Sequence, residues 1–410
     1  MSHVDLLPRI APEDPHWFDS SEHLQALHEL RRVAPVYLHD PRPTYSDRFW
    51  MLTRWDDCKH VYQQPQLFSS RRGNQLDNEI KNPTGRPDDL RFLSKVFGQD
   101  DPPEATRLRH LFLKAFGSRN HAALEASLRA FIRDLVLQFE AGEATEMVDA
   151  FAKKIPLFVI RTLLGVEAGM DASFHRWTHD IALAGDMGPH VKGHSPYASM
   201  LEMFDFFECE VEARRTRPRA DFITAVIDAE VKGDRLTPAE QLMSCWFLLA
   251  AGNHTTQSLI SLGIGTLAAH PVETAKLIED PSAIPMAVEE LLRWTTPSLY
   301  QRRTVTVPTK IRGQILAAGD IVYLSTPACN RDPAVFSDPD RLDLSRKDNP
   351  HLSFSHGAHL CLGAPLARLE MKLALAELFS RFKRIELAAP VQRSPSTYVN
   401  HADSVQVVLN

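Results

Sequence analysis

The sequence predicts a mainly α protein with small β-sheets, folded as a single domain over residues 1–410, and three observations carry that expectation. From about 104 to 280 apolar residues recur at three- and four-residue spacing, as in Leu108, Leu111, Phe112 and Ala115, which is the helical period. One long helix is predicted over 238–269, and its centre, from Trp246 to Ala251, is apolar on every face, so it should run buried through the middle of the fold. Short β-like pieces (49–53, 304–307, 321–325) lie on either side of this helical region.

Composition narrows the function classes. Apolar residues make up 44% and charged residues 24%, enough to build a core and too little charge for a disordered chain. A net charge of -6 offers no basic field for nucleic acid or an anionic membrane. The start, Met1-Ser2-His3-Val4-Asp5, lacks a basic and then apolar leader, and no run of about 18 apolar residues occurs. The expectation is therefore a cytoplasmic protein without a membrane span. Five cysteines (Cys58, Cys209, Cys245, Cys329, Cys361) are odd in number and widely spaced, which fits neither a disulfide framework nor a zinc site.

The long helix opens on Thr237-Pro238-Ala239-Glu240, a capping box with proline at the first helical position, and Pro271 follows its far end. A shorter helix is expected over 283–295 and a final amphipathic one over 362–382. Between them, 327–360 shows no regular pattern. Irregular stretches of that length inside a compact domain are uncommon and usually functional, and this one ends on Cys361.

A cysteine at the start of a helix meets unpaired N–H groups that favour thiolate, and a thiolate can ligate iron; the bland alternative is a small buried hydrophobe. The flanking string Phe354-Ser355-His356-Gly357-Ala358-His359-Leu360-Cys361-Leu362-Gly363 decides between them. It resembles the haem-binding loop of the cytochrome P-450 family, F-[GS]-x-G-x-[HR]-x-C-x-G, at every defined position. The resemblance implies haem b (iron protoporphyrin IX) with Cys361 as the metal ligand, held in a loop over 354–363 shaped by Phe354 and Gly357.

The resemblance extends along the chain. Glu290-Leu291-Leu292-Arg293 matches the family's E-x-x-R, and Pro339-Asp340-Arg341-Leu342 is similar to its P-x-R-F, so Glu290, Arg293 and Arg341 are expected to form a structural network. Asn330-Arg331-Asp332-Pro333 is similar to the N-R-D-P stretch. Haem propionates are expected on Arg109, Arg303 and His359, with Arg302 a rival to Arg303; the family's frequent histidine at position 105 is Ala105 here. In the long helix, Ala251-Gly252-Asn253-His254-Thr255-Thr256 resembles [AG]-G-x-[DE]-T-T, which implies that Thr255 hydrogen-bonds dioxygen and helps deliver protons. His254 replaces the usual acid, and two readings stand: a proton relay, or a side chain turned into helix packing.

By that resemblance the chain is a monooxygenase that inserts one atom of O2 into a C–H bond of a lipophilic molecule, with a terpenoid, steroid or fatty chain as the expected substrate. The expected pocket wall is Phe247, Ala250, Ala251, Leu299, Gln301, Tyr398 and Val399, under lid segments 71–97 and 170–205. The sequence contains no dinucleotide fingerprint or cysteine cluster, so electrons should come from a separate ferredoxin and its NAD(P)H reductase. Arg107, Lys114, Arg368 and Lys372 are the candidate cations for that docking. The rival readings are a haem-thiolate peroxygenase, an isomerase or dehydratase, and a haem-binding sensor without turnover.

Overall fold

The computed structural model describes residues 9–40, 47–76, 97–117, 121–184 and 196–410. In chain order the helices are α1 (Glu22–Val33), α2 (Trp55–Gln63), α3 (Glu104–Gly117), α4 (His121–Val136), α5 (Lys154–Leu164), α6 (Asp171–Ala184) and α7 (Pro196–Thr216). They continue as α8 (Phe222–Asp228), α9 (Pro238–Gly252), α10 (His254–Ala269), α11 (Pro271–Glu279), α12 (Ile284–Thr295), α13 (Thr326–Cys329) and α14 (Ala364–Arg381). A five-stranded mixed sheet joins β1 (Val36–His39), β2 (Phe49–Leu52), β3 (Phe68–Ser69), β7 (Tyr300–Val305) and β10 (Ile321–Ser325) in the order β1-β2-β10-β7-β3. Only β10 and β2 in it run parallel. A second sheet pairs β11 (Ile385–Leu387) with β14 (Gln406–Leu409) and that strand with β4 (Ala144–Glu146). In addition β5 (Glu230–Val231) pairs with β6 (Asp234–Arg235), β8 (Thr309–Ile311) with β9 (Gln314–Leu316), and β12 (Gln392–Arg393) with β13 (Ala402–Ser404).

Most elements stand where the apolar period puts them. The capping box forms: Thr237 Oγ1 accepts from the Glu240 N–H at 3.4 Å, and Glu240 Oε2 accepts from the Thr237 N–H at 2.8 Å. The main core is helical, built by α3–α10, α12 and α14 with β11 and β14, and α10 is buried on nearly every face within it. Two smaller cores cover the faces of the five-stranded sheet.

The predicted 238–269 helix is corrected: it is two helices, α9 and α10, that break at Asn253 (φ -83°, ψ -71°). The cause lies in the polar run. Thr255 Oγ1 donates to the Ala251 carbonyl at 3.0 Å, and a side chain that competes for a carbonyl one turn back bends a helix. Asn253 Nδ2 donates to Thr178 Oγ1 on α6 at 2.7 Å, which fixes the break against a neighbouring helix. Of the expected lid segments, 77–96 and 185–195 lie outside the described residues.

Candidate active site

The irregular stretch after α13 is held by a buried ion network. Glu290 and Arg293, both on α12 and both wholly buried, pair at 2.7 and 2.8 Å. Glu290 also accepts from the Asp343 N–H at 3.0 Å, from Arg346 Nε at 3.1 Å and from Asn349 Nδ2 at 3.0 Å. Arg293 reaches on to the carbonyls of Asn330 (2.9 Å) and Pro339 (2.8 Å). The third member expected from sequence is corrected. The Arg341 side chain is 66% exposed and meets Asp343, while Arg346, buried, takes the place beside Glu290. Arg341 contributes only its carbonyl, to Arg293 at 3.4 Å.

Anchored in this way, the loop delivers Cys361 to an internal cavity between α10 and α14. Its N–H donates to the Phe354 carbonyl at 2.9 Å, closing the loop, and Arg109 Nη1 donates to the Leu360 carbonyl at 2.6 Å. Gly357 has φ +70°, and a Cβ there would lie 2.6 Å from the Tyr62 carbonyl oxygen. That oxygen is backbone and cannot yield. Gly357→Ala is expected to lower stability by about 1–3 kcal/mol and to loosen the loop, read as a lower melting temperature and lower cofactor content. An alanine protein that melts with the parent would show that the loop yields at no cost.

The cavity is lined by Cys361, Phe354, His359, Arg303, Thr255, Phe247, Ala251, Gln301 and Tyr398 among others. Ala250, Leu299 and Val399 do not line it, which corrects the expected wall: Leu299 and Val399 are buried in packing, and Ala250 lies against the main core. Phe112, Phe116, Ile160 and Leu259, which nothing in the local pattern marked, do line it. At one end, Tyr398 Oη accepts from Asn74 Nδ2 at 3.0 Å and from Gln301 Nε2 at 3.2 Å, so this apolar cavity has one polar corner.

The groups present fit a haem. Arg303 is buried, gives Nη1 to the Arg302 carbonyl at 2.7 Å and lies over the Tyr62 ring, with no salt bridge among the described residues. A buried cation without an anion is unfavourable until one arrives, and haem carries two carboxylates. His359 Nδ1 is likewise buried and unpartnered, while its Nε2 meets Ser70 Oγ at 3.2 Å; burial, aided by Arg303, lowers its pKa to about 4. Arg302 instead donates to the carbonyls of Gln75 and Leu76, which removes it as the rival.

The sulfur's charge state departs from the expectation. α14 begins at Ala364, three residues after Cys361, and burial pushes the thiol above its ordinary value despite the N–H groups of Gly363 and Ala364 and the charges of Arg109 and Arg368. A metal cation reverses this balance, since a coordinating thiol is deprotonated outright. Glu370, on α14, is buried at the cavity with Oε2 unpartnered, and burial raises its carboxyl well above the carboxylate range.

Thr255 faces the cavity and His254 does not: its ring packs on the far side of the break, against His175, His179 and His401. Burial, and then the neighbouring charges, hold its pKa down at about 3, so the imidazole is neutral near pH 7. Of the docking candidates, Arg107 is tied to Glu104, Asp234 and Glu240, Arg368 to Glu289, and Lys372 to Glu125, while Lys114 is exposed.

Among the described residues no helix is long and apolar enough to cross a membrane. The family model of cytochrome P450 matches residues 198–405. The chain is 34% identical to 6-deoxyerythronolide B hydroxylase of Saccharopolyspora erythraea over 363 residues, 88% of each protein. It is 31% identical to linalool 8-monooxygenase of Pseudomonas putida, across 93% of this chain and 94% of that protein. Among solved structures, the bacillaene polyketide synthase cytochrome P450 PksS of Bacillus subtilis superposes with a TM-score of 0.86 at 29% identity, over 98% of this chain and all of that one. Cysteine loop, buried glutamate–arginine network and these likenesses agree: the chain belongs to the cytochrome P450 family, whose members hold haem by a cysteine thiolate and act as monooxygenases.

Proposed function

We propose that this protein hydroxylates a lipophilic small molecule that carries at least one hydrogen-bonding oxygen. The observation that carries the reading is the cavity itself. Cys361 and Thr255 both line it, its walls include Phe112, Phe116, Ile160, Phe247 and Leu259, and Asn74, Gln301 and Tyr398 make its polar corner. Apolar walls orient a substrate by exclusion of water, and a few placed polar groups fix which carbon points inward. A terpenoid alcohol, a steroid or an oxygenated fatty or polyketide chain has that chemistry; relatives named for linalool and for 6-deoxyerythronolide B act on molecules of this kind. Haem, when bound, supplies the oxygen activation.

Arg303, His359 and Arg109 bind and orient the cofactor's acid groups. Thr255 holds a hydroxyl proton at the cavity wall, exchanged between the Ala251 carbonyl and the cavity. Replacing Thr255 by valine keeps the shape and removes the proton, so product per reducing equivalent should fall on the order of tenfold to a hundredfold. Equal coupling in the valine protein would remove Thr255 from the proton supply. Electrons come from a ferredoxin and its NAD(P)H reductase.

His254 favours a second reading. The position of the family's acid is filled by a neutral ring turned from the cavity, which suits a peroxygenase supplied with peroxide. One experiment separates the two. A library of oxygenated lipophiles is screened for the optical shift on ferric haem, and each hit is then incubated with ferredoxin, reductase and O2, or with peroxide alone. Product only in the first arm supports the monooxygenase; product only in the second supports the rival.

A further inference from the structure

Four histidines meet where α6 crosses the α9–α10 break. The His254 ring centroid lies 6.2 Å from that of His175, 5.9 Å from His179 and 6.4 Å from His401, and His175 and His179 stand 6.1 Å apart on one face of α6. Among the described residues no three such groups are placed to hold a metal ion, so the cluster must be explained without one. Its polar atoms are under-supplied. His254 Nε2, His175 Nε2, Asn253 Oδ1 and Gln257 Oε1 are all buried without a partner. Such a site is stable only while its rings are uncharged.

The charged groups around the cluster do not compensate His254. It faces His401, His179, His175 and Lys153, each of which opposes a positive charge on it. The carboxylates lie at the edges: Asp149 acts on His175, and Asp180 and Asp403 act on His179. His179 is exposed and His175 half-buried, so protons reach the cluster from the α6 side. Among the described residues the polar tie across the contact is the Asn253–Thr178 hydrogen bond, at the residue where the helix breaks.

We propose that these histidines form a proton-operated latch: neutral, they let α6 lie against the helix break, and charged in mildly acid solution they push α6 off it. Gly252, Thr255 and Thr256 border the cavity next to Asn253, so a released latch loosens the wall on which the proposed proton supply depends. The sign follows from linkage. A histidine whose pKa is held low in the closed state binds its proton more readily once released. The latch is therefore at full strength above about pH 6.5 and weakens as pH falls beneath it. With His254 at about 3 when closed and 6.5 when free, closure at pH 5 is disfavoured roughly thirtyfold relative to neutral pH.

The test reads the fold and not turnover, so it stands apart from the substrate reading. Amide hydrogen exchange over 172–181 is followed in the haem-loaded protein at about pH 7.5 and about pH 5, corrected for the intrinsic pH dependence of exchange. Protection in the parent should fall roughly thirtyfold at acid pH while α14 stays protected. In His254→Gln, or in His254→Phe should the first not fold, the titrating ring is gone and the fall should be under about threefold. A parent indifferent to pH, an equal loss in parent and variants, or a matching loss in α14 overturns the latch.

Discussion

Cys361→Ser and Cys361→His proteins are expected to fold, yet to lose the red-shifted absorption band of the reduced carbon-monoxide complex and all oxygen-dependent product. Serine is the cleaner change. The contact that closes the loop uses the backbone N–H of residue 361, to the Phe354 carbonyl, and survives replacement of the side chain. What disappears is the electron density that a thiolate pushes onto iron, the source of both the band and O–O cleavage. The other four cysteines give the experiment its force. Cys58, Cys245 and Cys329 are buried in packing, Cys209 is exposed, and none lines the cavity. Retention of the band in the serine protein would therefore overturn the cavity as the haem site, not merely the choice of cysteine.

The second large effect is on stability. Glu290→Ala should cost about 3–5 kcal/mol, since it leaves Arg293 and Arg346 as buried, unpaired charges. Five hydrogen bonds to its two oxygens vanish together. The melting temperature should drop, and so should the haem retained after purification, because the loop that carries Cys361 loses its anchor. Two arginine variants sharpen the reading. Arg346→Ala should cost less, about 1–3 kcal/mol, since Glu290 keeps Arg293, whereas Arg341→Ala, at an exposed side chain, should stay within about 0.5 kcal/mol of the parent. The reverse order, measured by thermal or denaturant melting, would show that the loop adopts another arrangement in solution.

Arg341 and Arg346 illustrate what a one-dimensional reading can reach. The elements with strong periodicity were legible: α12, the capped start of α9 and the strands β2 and β10 fall where apolar spacing puts them. The cysteine loop was legible for a different reason, since its residues act within ten positions of one another. The partner of Glu290 was not, because the stretch from α13 to Arg346 is irregular and either arginine satisfies a pattern counted along the chain. The helix break was half legible. Polar residues inside an apolar helix announced a local event, but its direction depends on α6, which supplies Thr178 and the two histidines against His254. The cavity wall failed in the same way: Phe112 and Phe116 share α3 with Arg109 and Ile160 lies on α5, but only tertiary packing shows which of their faces meet the cavity.

The arginine network reads the path of the chain more than its side chains. Arg293 binds the carbonyls of Asn330, Pro339 and Arg341, and Arg346 that of Ser337. Every residue type offers the same carbonyl. The stretch 337–341 is thus fixed in shape while these contacts leave its side chains free, apart from Asp338, whose φ of +45° favours a small polar residue or glycine. Such a segment can accumulate substitutions, surface charges among them, and so remodel the exterior beside the haem loop without disturbing the sulfur it positions.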